Sequence, residues 1–130
     1  MSGKKSIIIV TDGTQKITKM AEDIAIALKE NTVLIKDASS FNGTDLLPAH
    51  VIFLGCEEPS PPSFHYLEDL FKHINLASRL LGIFTSGSEK TVKYLVRMVR
   101  DSEATLFPTY FLAEKSGDIF KWSTMVLAGN

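Results

Sequence analysis

Three short polar segments hold the residues of this chain whose types and spacing could do chemistry. The first contains hydroxyls, an acid, a glycine and a cation: Thr11, Asp12, Gly13, Thr14, Gln15 and Lys16. It follows an apolar run and leads into a helical pattern, so free N–H groups and the positive helix end converge there, where an anion is stabilised. This segment is a candidate phosphate-binding loop, with Thr11, Gly13, Thr14 and Lys16 as candidate ligands.

A structural role is equally open for the same segment. The Thr14 hydroxyl could cap the following helix while Lys16 remains solvated. Asp12 would repel any dianion bound nearby. The residues alone leave both interpretations standing.

The second and third segments follow two later apolar runs. They are Gly55, Cys56, Glu57 and Glu58, and then Ser86, Gly87 and Ser88. The acidic pair could border a ligand or form an exposed loop. Ser86 and Glu89 have the spacing of a helix capping box. Cys56 is the single cysteine, which excludes an internal disulfide, and no adjacent basic residue lowers its pKa, so we expect a small buried residue.

Other catalytic chemistry has little support. The three histidines lack metal-ligand spacing, and no nucleophile elbow is present. A phosphate-accepting receiver domain would need an aspartate where Gly55 and Cys56 follow the third apolar run. We therefore assign no catalytic residue and no metal site.

Apolar runs alternate with helical patterns, which predicts an α/β fold with a parallel sheet. We expect strands at residues 7–10, 33–35, 51–54, 80–84 and 104–112. Helices should follow the first, third and fourth strands, whereas residues 38–49 have the composition of a loop. Pro108 lacks an N–H donor and therefore places the fifth strand at a sheet edge.

Five such strands are most commonly ordered 2-1-3-4-5, in a doubly wound sheet covered by helices on both faces. In that order the loops after strands one, three and four meet at the carboxyl edge of the sheet. These loops hold the three polar segments, so the sequence predicts a single shared site.

The tail, residues 116–130, is apolar but short and rich in β-branched residues, so the sequence does not assign it a closing helix. Without one, the face carrying the first helix would keep apolar surface exposed. Either the tail covers this face or a second subunit does, which makes a homodimer through the first helix and the tail possible.

The totals limit the class of protein. A length of 130 residues suits one domain, residues 1–130. The net charge of −1 gives no basic field for nucleic acid. The first apolar run is too short for a signal peptide or a membrane span. We expect a cytoplasmic protein without a nucleic-acid or membrane partner.

Several strings resemble the flavodoxin family over roughly residues 5–113. They are Lys19-Met20-Ala21, Asp45-Leu46-Leu47, Val51-Ile52-Phe53-Leu54-Gly55 before an acidic loop, and Ser86-Gly87 after the fourth strand. The resemblance implies that the first loop holds the phosphate of FMN and the other two hold its isoalloxazine ring. It also implies a flavodoxin-like three-layer sandwich, a role in electron transfer and a redox protein partner.

The chain departs from that family in its loops. Gln15 replaces a glycine and Ile17 a threonine of the phosphate loop, and residues 85–88 lack the usual stacking aromatic residue. Phe64 or Tyr66, just beyond the second loop, could supply one. The sequence thus favours an FMN-binding electron carrier. The alternative is a flavin-free interaction or regulatory module, as a monomer or a dimer.

Overall fold

The computed structural model describes residues 4–130, which form one parallel sheet with helices on both faces. The strands are β1 (Ser6–Thr11), β2 (Thr32–Asp37), β3 (Val51–Gly55), β4 (Leu80–Thr85), β5 (Thr105–Leu106) and β6 (Phe111–Leu112). The helices are α1 (Gln15–Ala27), α2 (His65–Phe71), α3 (Glu89–Val99) and α4 (Ile119–Ala128). The strand order is β2-β1-β3-β4-β5, as predicted.

The central strands are buried on both faces because every residue of their apolar runs meets a helix layer. All residues of β3 and β4 are buried. One face packs α1 and α4 against Ile7, Ile9 and Phe53. The other packs α2 and α3 against Ile8, Val10 and Ile52. This division gives the predicted three-layer sandwich.

The fifth strand is at the edge of the sheet, as predicted, but it is interrupted. Both β5 and β6 pair with β4, and the intervening residues leave the ladder around Pro108. Proline cannot donate to the ladder, which accounts for a break at this position. Between β2 and β3 the chain forms only the short turns Ala38–Ser40 and Gly43–Leu46, in agreement with the expected loop.

The tail differs from the expectation, because it forms α4. Asp118 caps this helix, its Oδ1 accepting from the N–H of Phe120 at 2.9 Å. Ile119, Trp122 and Val126 are spaced three and four apart and are buried against the α1 face of the sheet. The helical period of these residues outweighs the weak propensity of the β-branched ones.

α4 therefore covers the surface beside α1, which is one of the two solutions left open by the sequence. Phe120 and Met125 remain exposed on its outer side, so a homodimer through this surface stays a prediction. Over residues 4–130, no helix combines the length and apolarity needed to cross a membrane.

Candidate functional site

The carboxyl edge of the sheet brings the three polar loops together, and the side chain of Asp12 joins the first loop to the second. Its Oδ1 accepts from the N–H and the hydroxyl of Thr14, at 3.0 and 2.7 Å. Its Oδ2 accepts from the N–H of Glu57 in the loop after β3, at 2.8 Å. One carboxylate thus takes three donors from two loops.

The tight turn between β1 and α1 depends on Thr11 and Gly13. Thr11 is buried and its Oγ1 accepts from the N–H of Gly13 at 3.2 Å. Gly13 has φ +83°, and a β-carbon there would lie 2.6 Å from Oδ2 of Asp37. Glycine is therefore required both for its backbone conformation and for its small size.

The start of α1 keeps its N–H groups free. Thr14 occupies the N-cap position, but its hydroxyl donates to Asp12 and does not cap the helix, so the capping role open in the sequence is not observed. Gln15 and Lys16 are exposed, and Lys16 Nζ lies 3.9 Å from Oε2 of Glu57. The uncapped helix end favours an anion, whereas the neighbouring carboxylates of Asp12 and Glu57 oppose one.

The loops after β3 and β4 are bonded directly to each other. Thr85 Oγ1 donates to the carbonyl of Cys56 at 2.6 Å, and Thr91 Oγ1 donates to the carbonyl of Glu57 at 3.2 Å. A β-carbon on Gly87 would lie only 2.2 Å from that Glu57 carbonyl oxygen. These two loops touch where the sequence predicted the two sides of a ligand.

The remaining predicted residues lie at this junction in different environments. Gly55 is buried against the ring of Phe84, whereas Glu58 and Ser88 are exposed. Ser88 caps α3, its Oγ accepting from the N–H of Lys90 at 3.2 Å, so the expected cap at Ser86 is wrong. Ser86 directly follows β4, and its buried Oγ has no hydrogen-bond partner within the described chain.

The thiol of Cys56 is fully buried and donates to the carbonyl of Glu58 at 3.3 Å. Burial raises the pKa of this thiol above its usual value, and the carboxylates of Asp12 and Glu58 raise it further. The thiolate is therefore scarce, in agreement with the inert cysteine predicted from the sequence.

We expect Cys56 to be unreactive toward Ellman's reagent in the folded protein at mildly alkaline pH. The same protein in concentrated urea should react at once, because unfolding removes both the burial and the nearby charges. The measurement is the release of the coloured thiolate over time in the two conditions. A fast native reaction would show that the loop after β3 opens readily.

Two residues of the junction were missed by the sequence analysis as site residues. Thr85 and Thr91 are both buried and bond the second loop to the third. The available signal was the position of Thr91, a hydroxyl on the apolar face of α3 beside Val92 and Leu95. A polar group at such a position usually has a specific partner.

The two aromatic residues that could have stacked on a flavin ring, Phe64 and Tyr66, lie away from the three polar loops. Phe64 is fully buried in the core, and the Tyr66 hydroxyl accepts from the N–H of Gly43 at 3.1 Å. Neither belongs to the junction of the three loops.

An open cleft of about 590 Å³ lies to one side of this junction, between the start of α1 and the segment after β6. Its lining includes Lys16, Lys19, Ser86 and Glu114.

This donor set does not fit FMN bound in the manner expected from the sequence. The Thr14 hydroxyl and two loop N–H groups already bond the Asp12 carboxylate, which would also repel a phosphate dianion. The loops expected to enclose the ring are bonded to each other and contain no aromatic side chain. Within the described chain, no group of three or more potential metal ligands occurs.

Solved structures nevertheless share this fold. The flavodoxin of Streptococcus pneumoniae TIGR4 superposes with a TM-score of 0.79 at 16% identity, covering 96% of this chain and 99% of that one. A Fusobacterium nucleatum flavodoxin bound to flavin mononucleotide gives 0.77 at 12% identity, covering 96% and 98%. Two-electron reduced Megasphaera elsdenii flavodoxin gives 0.72 at 21% identity, covering 94% and 98%.

These likenesses define the class of fold: this chain has the flavodoxin-like fold over nearly its whole length. At such identities the likeness extends to the fold alone. No protein-family profile and no curated protein sequence matches this chain.

Proposed function

We propose that this chain is a flavin-free protein with the flavodoxin-like fold, which acts as an interaction module through its surface. The observation that carries the proposal is the Asp12 carboxylate, which takes donors from two of the three loops. The fixed negative charge of Asp12 accepts the hydrogen bonds that a bound phosphate would otherwise accept.

The contacts between the other loops support the same proposal. Two hydrogen bonds join the segments after β3 and β4, from the hydroxyls of Thr85 and Thr91, and Gly87 approaches the Glu57 carbonyl so closely that no β-carbon would fit between them. Opening them to admit a planar ring would leave buried hydroxyl and carbonyl groups without partners, which is costly. The loops therefore contribute to stability in the absence of a ligand.

The electron carrier favoured by the sequence is the competing function, and one observation favours it. The N–H groups at the start of α1 have no side-chain cap, and Lys16 stands beside them. If FMN bound at the start of α1, the protein would act as an electron carrier and would need a redox protein partner. The residues of the loops would then have to rearrange around the cofactor.

The test is a titration of the purified protein with FMN, followed by flavin fluorescence and the visible absorbance spectrum. We expect no bound flavin after purification and no quenching at tens of micromolar protein. A flavin spectrum in the purified protein, or saturable quenching at low micromolar protein, would contradict the proposal and support the carrier. Riboflavin, which lacks the phosphate, is the matched ligand for locating any binding observed.

A further inference from the structure

A row of four cations runs along the outer side of α3 and the turn that follows it. These residues, named here the cationic ridge, are Lys90, Lys93, Arg97 and Arg100, and all four are exposed. Their spacing of three, four and three residues places them on one helical face. At 1.5 Å per residue the ridge is about 15 Å long.

The cationic ridge has a single sign of charge, unlike the outer face of α1. That face mixes Lys16 and Lys19 with Glu22 and Asp23. The ion pairs found over residues 4–130 join Lys16 to Glu57, Lys19 to Asp23 and Lys115 to Glu89. None of them involves the ridge, so its charges are available to a partner.

Two clefts flank the ridge and share its last two residues. One has a volume of about 340 Å³ and includes Lys93, Arg97 and Arg100 together with Tyr110. The other, of about 370 Å³, contains the same two arginines and Lys72 of α2. Each cleft can seat an anionic group against a guanidinium, whose planar fork suits a carboxylate.

The acidic residues near the second cleft do not neutralise the positive charge of its lining. Glu68 accepts from the Tyr94 hydroxyl at 2.5 Å, so one of its oxygens already has a partner. Asp101 lines the same cleft without an ion pair to Arg97 or Arg100 within the described chain. The cations on the two sides of the cleft outnumber these two acids.

We propose that the cationic ridge binds a short, extended acidic segment of a protein partner. The chain has a net charge of −1 with these four cations and −5 without them, so a long polyanion would meet repulsion beyond the ridge. A short extended segment with three carboxylates on alternate residues, about 6.6 Å apart, spans about 13 Å and so fits within the length of the ridge.

Nucleic acid and membrane surfaces fit the ridge less well. Tyr94 is partly buried with its hydroxyl bonded to Glu68, so it offers no platform for stacking a base. The large exposed apolar side chains of the described chain all lie outside α3. The apolar face of α3 is buried in the core, whereas a membrane-binding helix would insert that face into lipid.

The experiment measures fluorescence anisotropy of a labelled peptide of about eight glutamates, long enough to span the ridge in an extended form. We expect saturable binding that weakens as salt is raised. The double variant Arg97→Glu, Arg100→Glu should weaken binding about tenfold or more, because each substitution replaces attraction by repulsion. A peptide of lysines should bind the double variant better than the native protein.

The matched control is Lys29→Glu with Lys121→Glu, two exposed lysines in the turn after α1 and on α4, with the same total change of charge. It should change the affinity by less than about threefold, since screened charges on the other side of the molecule act weakly. Equal losses in the two double variants would overturn the proposal. So would tighter binding of duplex DNA, or of vesicles rich in phosphatidylserine, to the same ridge.

This proposal names a partner class for the interaction module but does not depend on the state of the FMN loops. FMN titration of the same three proteins, the native chain and the two double variants, separates the two proposals. Flavin binding with peptide binding would overturn only the flavin-free function. Absence of both would leave that function standing and overturn the acidic partner.

Discussion

Replacing Trp122 by alanine is expected to lower the free energy of unfolding by about 3–5 kcal/mol. The indole is 6% exposed, and its ring centroid lies 5.6 Å from that of Phe53 and 5.5 Å from that of Phe111. Its Nε1 donates to the carbonyl of Thr109 at 3.1 Å. The substitution would leave a cavity where α4 meets the sheet and would remove the hydrogen bond to the Thr109 carbonyl between β5 and β6.

Phe120→Ala is the matched control, because Phe120 is an aromatic residue of the same helix that is 42% exposed. It should cost less than about 1 kcal/mol. Urea denaturation followed by circular dichroism gives both values. If both variants lose little stability, α4 is not docked on the sheet in solution. If both lose several kcal/mol, Phe120 is covered by a second subunit. Light scattering of the native protein distinguishes the second case and tests the predicted homodimer.

Replacing Asp12 by serine is expected to strengthen FMN binding by about fivefold to thirtyfold. The change removes a negative charge from the position where two loops converge and frees the N–H of Glu57 and the hydroxyl of Thr14 as donors. Solvent screening at this partly exposed site reduces the full Coulombic effect to about 1–2 kcal/mol, which corresponds to the expected change in affinity.

The control is Asp69→Ser, which removes the same charge from an exposed position on α2. It should leave FMN affinity unchanged. We also expect Asp12→Ser to lose about 1–3 kcal/mol of stability, because loop donors lose a charged acceptor. Fluorescence titration and urea denaturation measure the two effects on the same samples. A stable Asp12→Ser variant that still ignores FMN would show that the closed loops after β3 and β4, and not the carboxylate, exclude the flavin.

The two experiments concern different parts of the fold. Trp122 belongs to the layer that completes the core, whereas Asp12 belongs to the loops that hold no core residue except Cys56. Their effects on stability should therefore be nearly additive, since the residues have no common partner. Together they separate the stability of the scaffold from the properties of its carboxyl edge.

The sequence by itself determined the sheet, because its strong signals are local. Four-residue apolar runs can be buried on both faces only as central parallel strands, and the residues between them have helical period. Pro108 likewise placed the fifth strand at the sheet edge, because proline lacks a backbone N–H donor in any structural context. The convergence of the polar loops then followed from the usual order of such strands.

Only the tertiary structure decided the tail and the state of the loops. The apolar residues of α4 have a helical period that is weak over so few residues, and docking against Phe53 and Phe111 stabilises the helix. The sequence showed that Asp12 would oppose a phosphate, but the partner of its carboxylate is 45 residues away at Glu57. Long-range hydrogen bonds of this kind depend on how the loops meet in space, which no local pattern encodes.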